Sequence, residues 1–153
     1  MDRWLTAVAS VALLTVLAGA PPACAEAADG DTPVGLWKTV DDKTGAVTAL
    51  IRITEAGGVY SGHIEQSFRP GAATRVCDVC SDDRRNKPIL GLEIIRGIRR
   101  HDADFSGGEI LDPDNGSVYR CKLRLEEGGR KLIVRGYIGI SLLGRSQTWT
   151  REP

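Results

Sequence analysis

The sequence has no surplus of charge, with 20 Lys and Arg set against 20 Asp and Glu. That balance argues against a partner gathered by net positive charge, such as nucleic acid or an anionic membrane surface. Histidine is scarce: His63 and His101 are the only two. His63 shares an alternating face with Glu65 and is expected toward solvent, and His101 sits in a turn. Neither has a Ser or Cys companion, which leaves no visible nucleophile–base pair. Beyond the N-terminal region no apolar run is long enough to span a bilayer as a helix. No stretch there shows helical periodicity.

The first 25 residues stand apart. Arg3 supplies a positive start, offset by Asp2. The apolar run from Leu5 to Ala18 is broken only by Thr6, Ser10 and Thr15, and Pro21-Pro22 ends it. Ala23-Cys24-Ala25 is a small-x-small cleavage pattern. Residues 1–25 are therefore expected to be a cleaved signal peptide that sends the chain to the periplasm. Cys24 is not expected to be lipidated, because Pro21 and Pro22 occupy the places where a lipoprotein signal wants an aliphatic and a small residue. Cleavage removes one charge of each sign, so the mature chain stays neutral. Residues 26–33 read as a linker and 34–153 as one domain, of a size for one modest core.

Within that domain Gly recurs every eight to twelve residues between short alternating runs. Such spacing predicts a β-sandwich or barrel. Eight strands are expected: Gly35–Val40, Val47–Glu55, Val59–Ser67, Ile89–Arg99, Asp104–Leu111, Ser117–Glu126, Lys131–Ile138 and Arg145–Arg151. A long loop, Phe68 to Pro88, precedes the fourth. Asp112-Pro113-Asp114-Asn115-Gly116 is a hairpin signal, with Pro pre-setting one φ and Asn-Gly accepting positive φ. It lacks the pattern of a calcium loop.

The alternation assigns faces. Tyr119, Cys121, Leu123 and Leu125 share one side, and Arg120, Lys122 and Arg124 the other. Ala49, Ile51 and Ile53 oppose Arg52 and Thr54. One dry and one wet face mean antiparallel strands around a single interior. Tight links favour a meander, and eight such strands can close and remove their exposed edges. The expected fold is all-β, an eight-stranded antiparallel up-and-down barrel. Such a barrel is just wide enough to be packed solid or to hold one small ligand.

Gly35-Leu36-Trp37 at the start of the first strand resembles the Gly-x-Trp signature of lipocalins. The resemblance implies a Trp at the closed end of the barrel with a basic side chain from the last strand across it. Arg145, Trp149 and Arg151 share one face of the last strand, and closure is expected to bring them near Trp37. With Gly35 they form the expected barrel-closing set. The mature chain also resembles a bacterial family known as domain of unknown function 2147. The resemblance rests on Gly35-Leu36-Trp37-Lys38-Thr39, Cys77-Asp78-Val79-Cys80 with Asp82-Asp83-Arg84, and Gly91-Leu92. It continues through Gly107-Gly108-Glu109-Ile110-Leu111-Asp112-Pro113, Asn115-Gly116, Val134-Arg135-Gly136-Tyr137 and Gly144-Arg145-Ser146-Gln147-Thr148-Trp149. It implies an exported lipocalin-like barrel and transfers no catalytic residue.

Cysteine chemistry is limited by count. Cys77, Cys80 and Cys121 remain after cleavage, and an odd number leaves one thiol over. Cys77-x-x-Cys80 lacks the second pair that a closed zinc site wants. It also lacks the following amphipathic helix that would lower a thiol pKa. A short disulfide within the long loop is the favoured reading, with pairing of Cys121 to either loop cysteine as the alternative. Cys121, on an apolar face, reads as a small hydrophobe. Gly139-Ile140-Ser141-Leu142-Leu143-Gly144 lacks the Gly two residues after Ser that a nucleophile elbow requires. It reads as an apolar loop over one barrel mouth.

Arg96 interrupts the run Leu92, Ile94, Ile98, and Arg135 shares a face with Ile133 and Tyr137. Two readings stand: these strands have the opposite facing, or the arginines point inward with Tyr119 and Tyr137 and orient an anionic head group. The expected function is a small-molecule binder holding an apolar or amphipathic ligand, with no cofactor or metal. The alternative is a solid-barrel scaffold that docks another envelope protein through loop 68–88 or 139–144. Enzymatic activity has no constellation of residues behind it.

Overall fold

Each alternating run becomes one strand. The computed structural model describes residues 30–153; the expected signal peptide and the start of the expected linker lie outside the described residues. The strands are β1 (Gly35–Val40), β2 (Val47–Ala56), β3 (Val59–Ser67), β4 (Glu93–His101), β5 (Asp104–Leu111), β6 (Val118–Glu126), β7 (Lys131–Tyr137) and β8 (Gly144–Glu152). Each pairs antiparallel with the next, and β8 returns to β1 through Leu36↔Glu152, Trp37↔Arg151 and Lys38↔Thr150. The sheet is a closed up-and-down barrel with no free edge. Among the described residues no helix is long and apolar enough to cross a membrane.

The two ends differ in their connections. At one end the turns are tight: Gly57-Gly58, Asp102 and Glu127-Gly128-Gly129 all take positive φ. Here the interior is packed solid by Trp37, Ile53, Tyr60, Ile98, Phe105, Leu123 and Leu132, all buried. Tyr60 and Phe105 meet edge to face with centroids 5.1 Å apart, the geometry that ring quadrupoles prefer. Burial of each such side chain is worth about 1.5–3 kcal/mol. The segment read as a linker is part of this end as far back as Gly30. Gly30 sits against Gly128 and Gly129, Pro33 is fully buried, and the Pro33 carbonyl accepts the Trp37 indole N–H at 2.7 Å.

At the other end the connections are longer: residues 41–46, 68–92, 112–117 and 138–143. The 68–92 loop is itself well tied. Cys77 and Cys80 form a disulfide and Cys121 is free and buried. Val76 and Pro88 make an isolated bridge. Arg84 is wholly buried, paired with Asp82, with Glu109 of β5 at 2.9 Å, and with the Glu93 carbonyl at 3.4 Å. Arg75 reaches Asp114 at 2.8 Å, which fastens the loop to the β5–β6 turn.

The fourth strand starts later than expected. Residues 89–92 turn instead of extending, because Gly91 takes φ 81° and donates to the Ile64 carbonyl at 2.7 Å. Within β4 the pairing with β3 jumps from Gly62↔Ile95 to Tyr60↔Ile98, so three steps on β4 oppose two on β3. The extra residue is a β-bulge at Gly97, with φ 70°. A second irregularity lies between His63↔Glu93 and Gly62↔Ile95, so the strand changes parity twice: Ile94, Ile95 and Ile98 are all buried and Arg96 turns out.

Candidate functional site: a cavity at the open end of the barrel

The barrel is not solid. A cavity of about 790 Å³ runs from its middle to the end with the longer connections, a size that suits one small ligand. Its inner end is apolar, walled by Ile51, Ile64, Ile94, Val134 and the indole of Trp149. Ala49, Ile110 and Gly136 leave room higher up. Trp149 lines this space because β8 runs from the mouth to the packed end with Arg145, Gln147, Trp149 and Arg151 on one side. Its indole N–H donates to Gln147 Oε1 at 3.3 Å.

The rim alternates in charge. Asp41, Asp42, Asp112 and Asp114 meet Arg69, Arg75 and Arg145 there. Arg145 pairs with Asp42, and Asp114 accepts both Arg75 at 2.8 Å and Arg69 at 3.0 Å. Asp41 caps its own turn, accepting the Thr44 and Lys43 amides at 2.9 and 3.0 Å. Those backbone amides hold its carboxyl below the ordinary Asp value. In the β5–β6 hairpin Asp112 accepts the Asp114 amide at 2.9 Å. The mouth also carries Ile138, Leu142 and Leu143, which line the cavity while remaining largely exposed.

Tyr119 lines this cavity from the inner face of β6, while Tyr137 borders its mouth at the end of β7 on the same face of the strand as Arg135. The expectation of inward arginines is corrected. Arg96 lies on the outside, bidentate to Asp83 at 2.7 and 3.0 Å and to Glu93 at 2.5 Å, because of the two irregularities of β4. Arg135 lies on the opposite face of β7 from Val134 and Gly136. It donates to the carbonyls of Ser141 at 2.7 Å and Leu142 at 3.3 Å, and to Ser146 Oγ at 2.8 Å. It holds the apolar β7–β8 loop at the mouth.

The barrel-closing set is corrected in part. Arg151 does stack on Trp37, with the guanidinium 4.4 Å from the ring centroid. Gly35 makes room for it: a Cβ there would stand 2.5 Å from Arg151 Nη1. Arg145 and Trp149 are elsewhere, at the mouth and in the cavity, because one strand spans the whole height of the barrel. His63 borders a separate cleft of about 240 Å³ together with Arg84, Lys87 and Arg96. All three of those cations are already paired with carboxylates. Among the described residues no group of three or more His, Cys, Asp or Glu gathers as a metal site.

The rim pairs escaped sequence reading, since Asp42 and Arg145 lie 103 residues apart and nothing in local spacing joins them. Gln147 was legible in principle, two residues from Trp149 on an alternating strand.

A closed meander of eight strands, packed at one end and hollow at the other, is a lipocalin-like barrel. Among solved structures, Protein HP1028 from the human pathogen Helicobacter pylori, described as belonging to the lipocalin family, is similar to this chain. The TM-score is 0.69 at 14% sequence identity, over 80% of this chain and 84% of that one. The chain belongs to the family described as "Uncharacterized protein conserved in bacteria (DUF2147)", whose model matches residues 35–151. No curated protein matches it.

Proposed function

We propose that this protein is exported to the bacterial periplasm and there binds one small amphipathic molecule inside its barrel. The observation that carries the reading is the cavity itself, with apolar walls deep inside and polar groups only toward the mouth. A ligand's apolar part would displace poorly bonded water from the inner walls, and its polar end would stay near the rim. HP1028's description as a lipocalin agrees with this, although at 14% identity it speaks to fold alone. The solid-barrel scaffold loses its premise, because the interior has room.

Native mass spectrometry of the protein recovered from a periplasm tests this directly. A mass surplus seen in the native spectrum and absent after denaturation is expected, and its value identifies the ligand. No surplus, even after incubation with an envelope lipid extract, would overturn the reading and favour docking through loop 68–88 or 139–144.

A further inference from the structure

The head group of the ligand can be classed by asking which polar groups around the cavity are already spoken for. Resting on the proposed binding function, we infer that the cavity selects a neutral, hydrogen-bonding amphiphile over an anionic one, with Tyr119 and Gln147 as its polar contacts.

Two observations converge. The first concerns the cations. All three guanidinium groups at the cavity, Arg69, Arg75 and Arg145, are held by carboxylates of the rim itself. The rim has four carboxylates to those three cations. An incoming carboxylate or phosphate would therefore have to displace Asp42 or Asp114 from its partner and leave that aspartate facing like charge. Like charges brought together in this way oppose binding. The second concerns the neutral groups. The hydroxyl of Tyr119 and the amide nitrogen of Gln147 line the cavity yet make no hydrogen bond to any other described residue. Tyr119 stands on the inner face of β6: a Cβ at the inward Gly136 would lie 3.4 Å from Tyr119 Cβ. Gln147 stands opposite Val134 across β7 and β8. A hydroxyl that both donates and accepts, with one amide donor, matches an ester, hydroxyl or amide head group. An anionic head would find no unpaired cation.

The test compares three probes with the same chain: 1-monododecanoylglycerol, dodecanoate and dodecyltrimethylammonium. Each is titrated below its micellar concentration into the purified exported protein by isothermal calorimetry. The glyceride is expected to bind about five- to tenfold tighter than dodecanoate. Tyr119→Phe should weaken the glyceride about three- to tenfold and leave dodecanoate unchanged. Asp114→Asn, which releases Arg69 and Arg75, should strengthen dodecanoate about fivefold. The inference is overturned, with the binding function intact, by dodecanoate binding as tightly as the glyceride. The same holds if Tyr119→Phe leaves glyceride affinity unchanged, or if Asp114→Asn fails to raise dodecanoate affinity. Absence of binding by all three probes overturns the binding function itself.

Discussion

Arg151 covers the indole of Trp37 at 4.4 Å and donates to three backbone carbonyls. Nε donates to the Gly129 carbonyl at 2.7 Å, Nη1 to Val34 at 2.6 Å and Nη2 to Thr32 at 2.8 Å. One side chain thus joins the first strand, the last strand, the β6–β7 turn and the preceding segment at the closed end. Arg151→Ala removes the stacking and strands those carbonyls, and is expected to cost about 2–4 kcal/mol. Arg151→Lys keeps the charge but not the fork, and should recover less than half of the loss. Urea melts of the three proteins measure both.

Arg84 is the wholly buried cation. Its partners Asp82 and Glu109 keep 34% and 40% of their side-chain surface in water. They can therefore resolvate when the guanidinium is removed. Arg84→Met is expected to cost about 2–3 kcal/mol, below the range for breaking a fully buried pair. Hydrogen exchange should show the loss concentrated in residues 77–92, with the barrel strands still protected.

The same loop makes the protein sensitive to acid. The Arg84 side chain holds the Asp82 carboxyl below its ordinary value near 3.8, and Arg96, aided by Lys87, holds Asp83 lower still. Carboxyls with depressed folded pKa values contribute stability that is fully present above the unfolded value and lost as pH falls through the folded one. Thermal midpoints are expected to be level from pH 7 to about 5 and to fall below about pH 4. Joint Asp82→Asn and Asp83→Asn substitution should flatten that fall; an unchanged acid limb would exclude this pair as its source.

Cys121 is buried among apolar side chains, and desolvation pushes its thiol from 9.0 up to about 12. The native protein should give no reaction with a thiol-directed reagent at pH 8, and one equivalent after denaturation without reductant. Because the folded pKa is raised, the native state keeps a proton that the unfolded state loses. Stability should therefore decline as pH rises from about 9 toward 12. Cys121→Ala should lack this part of the alkaline slope in urea titrations.

Arg135 holds the apolar loop whose Leu142 and Leu143 line the cavity mouth. Arg135→Ala should leave the barrel folded while residues 138–143 exchange amide hydrogens faster. With a bound probe in the cavity, its dissociation rate should rise about three- to tenfold, as expected for losing one or two hydrogen bonds that restrain the loop. Equal dissociation rates in stopped-flow would show that the loop does not gate the cavity.

Local chemistry carried most of the architecture into the sequence. Alternation of Ile51 and Ile53 with Arg52, or of Cys121 and Leu123 with Lys122, needs only the two-residue period of a strand to declare its faces. The Asn115-Gly116 turn and the paired glycines at 57–58 and 128–129 mark where strands end. Eight runs joined by such links leave closure as the natural way to remove free edges. Gly35 and Trp37 also declared themselves, since the last strand of a closed meander must return beside the first.

What alternation does not survive is an inserted residue. The two irregularities of β4, at Gly97 and between Glu93 and Ile95, send Arg96 outward between the buried Ile94 and Ile98, and no local pattern announces them. Whether the interior is full or hollow depends on the summed volumes of side chains from eight strands, which meet only after closure. The ion pairs of the rim join residues from distant loops, and Coulomb attraction acts on distance in space, not in sequence. The sequence by itself determined the strands, their order, the closed end and the free thiol's apolar setting, because each rests on short-range periodicity or turn chemistry. The cavity, its paired rim and the outward turn of Arg96 and Arg135 were decided only in the tertiary structure, where volumes, charges and strand register first come together.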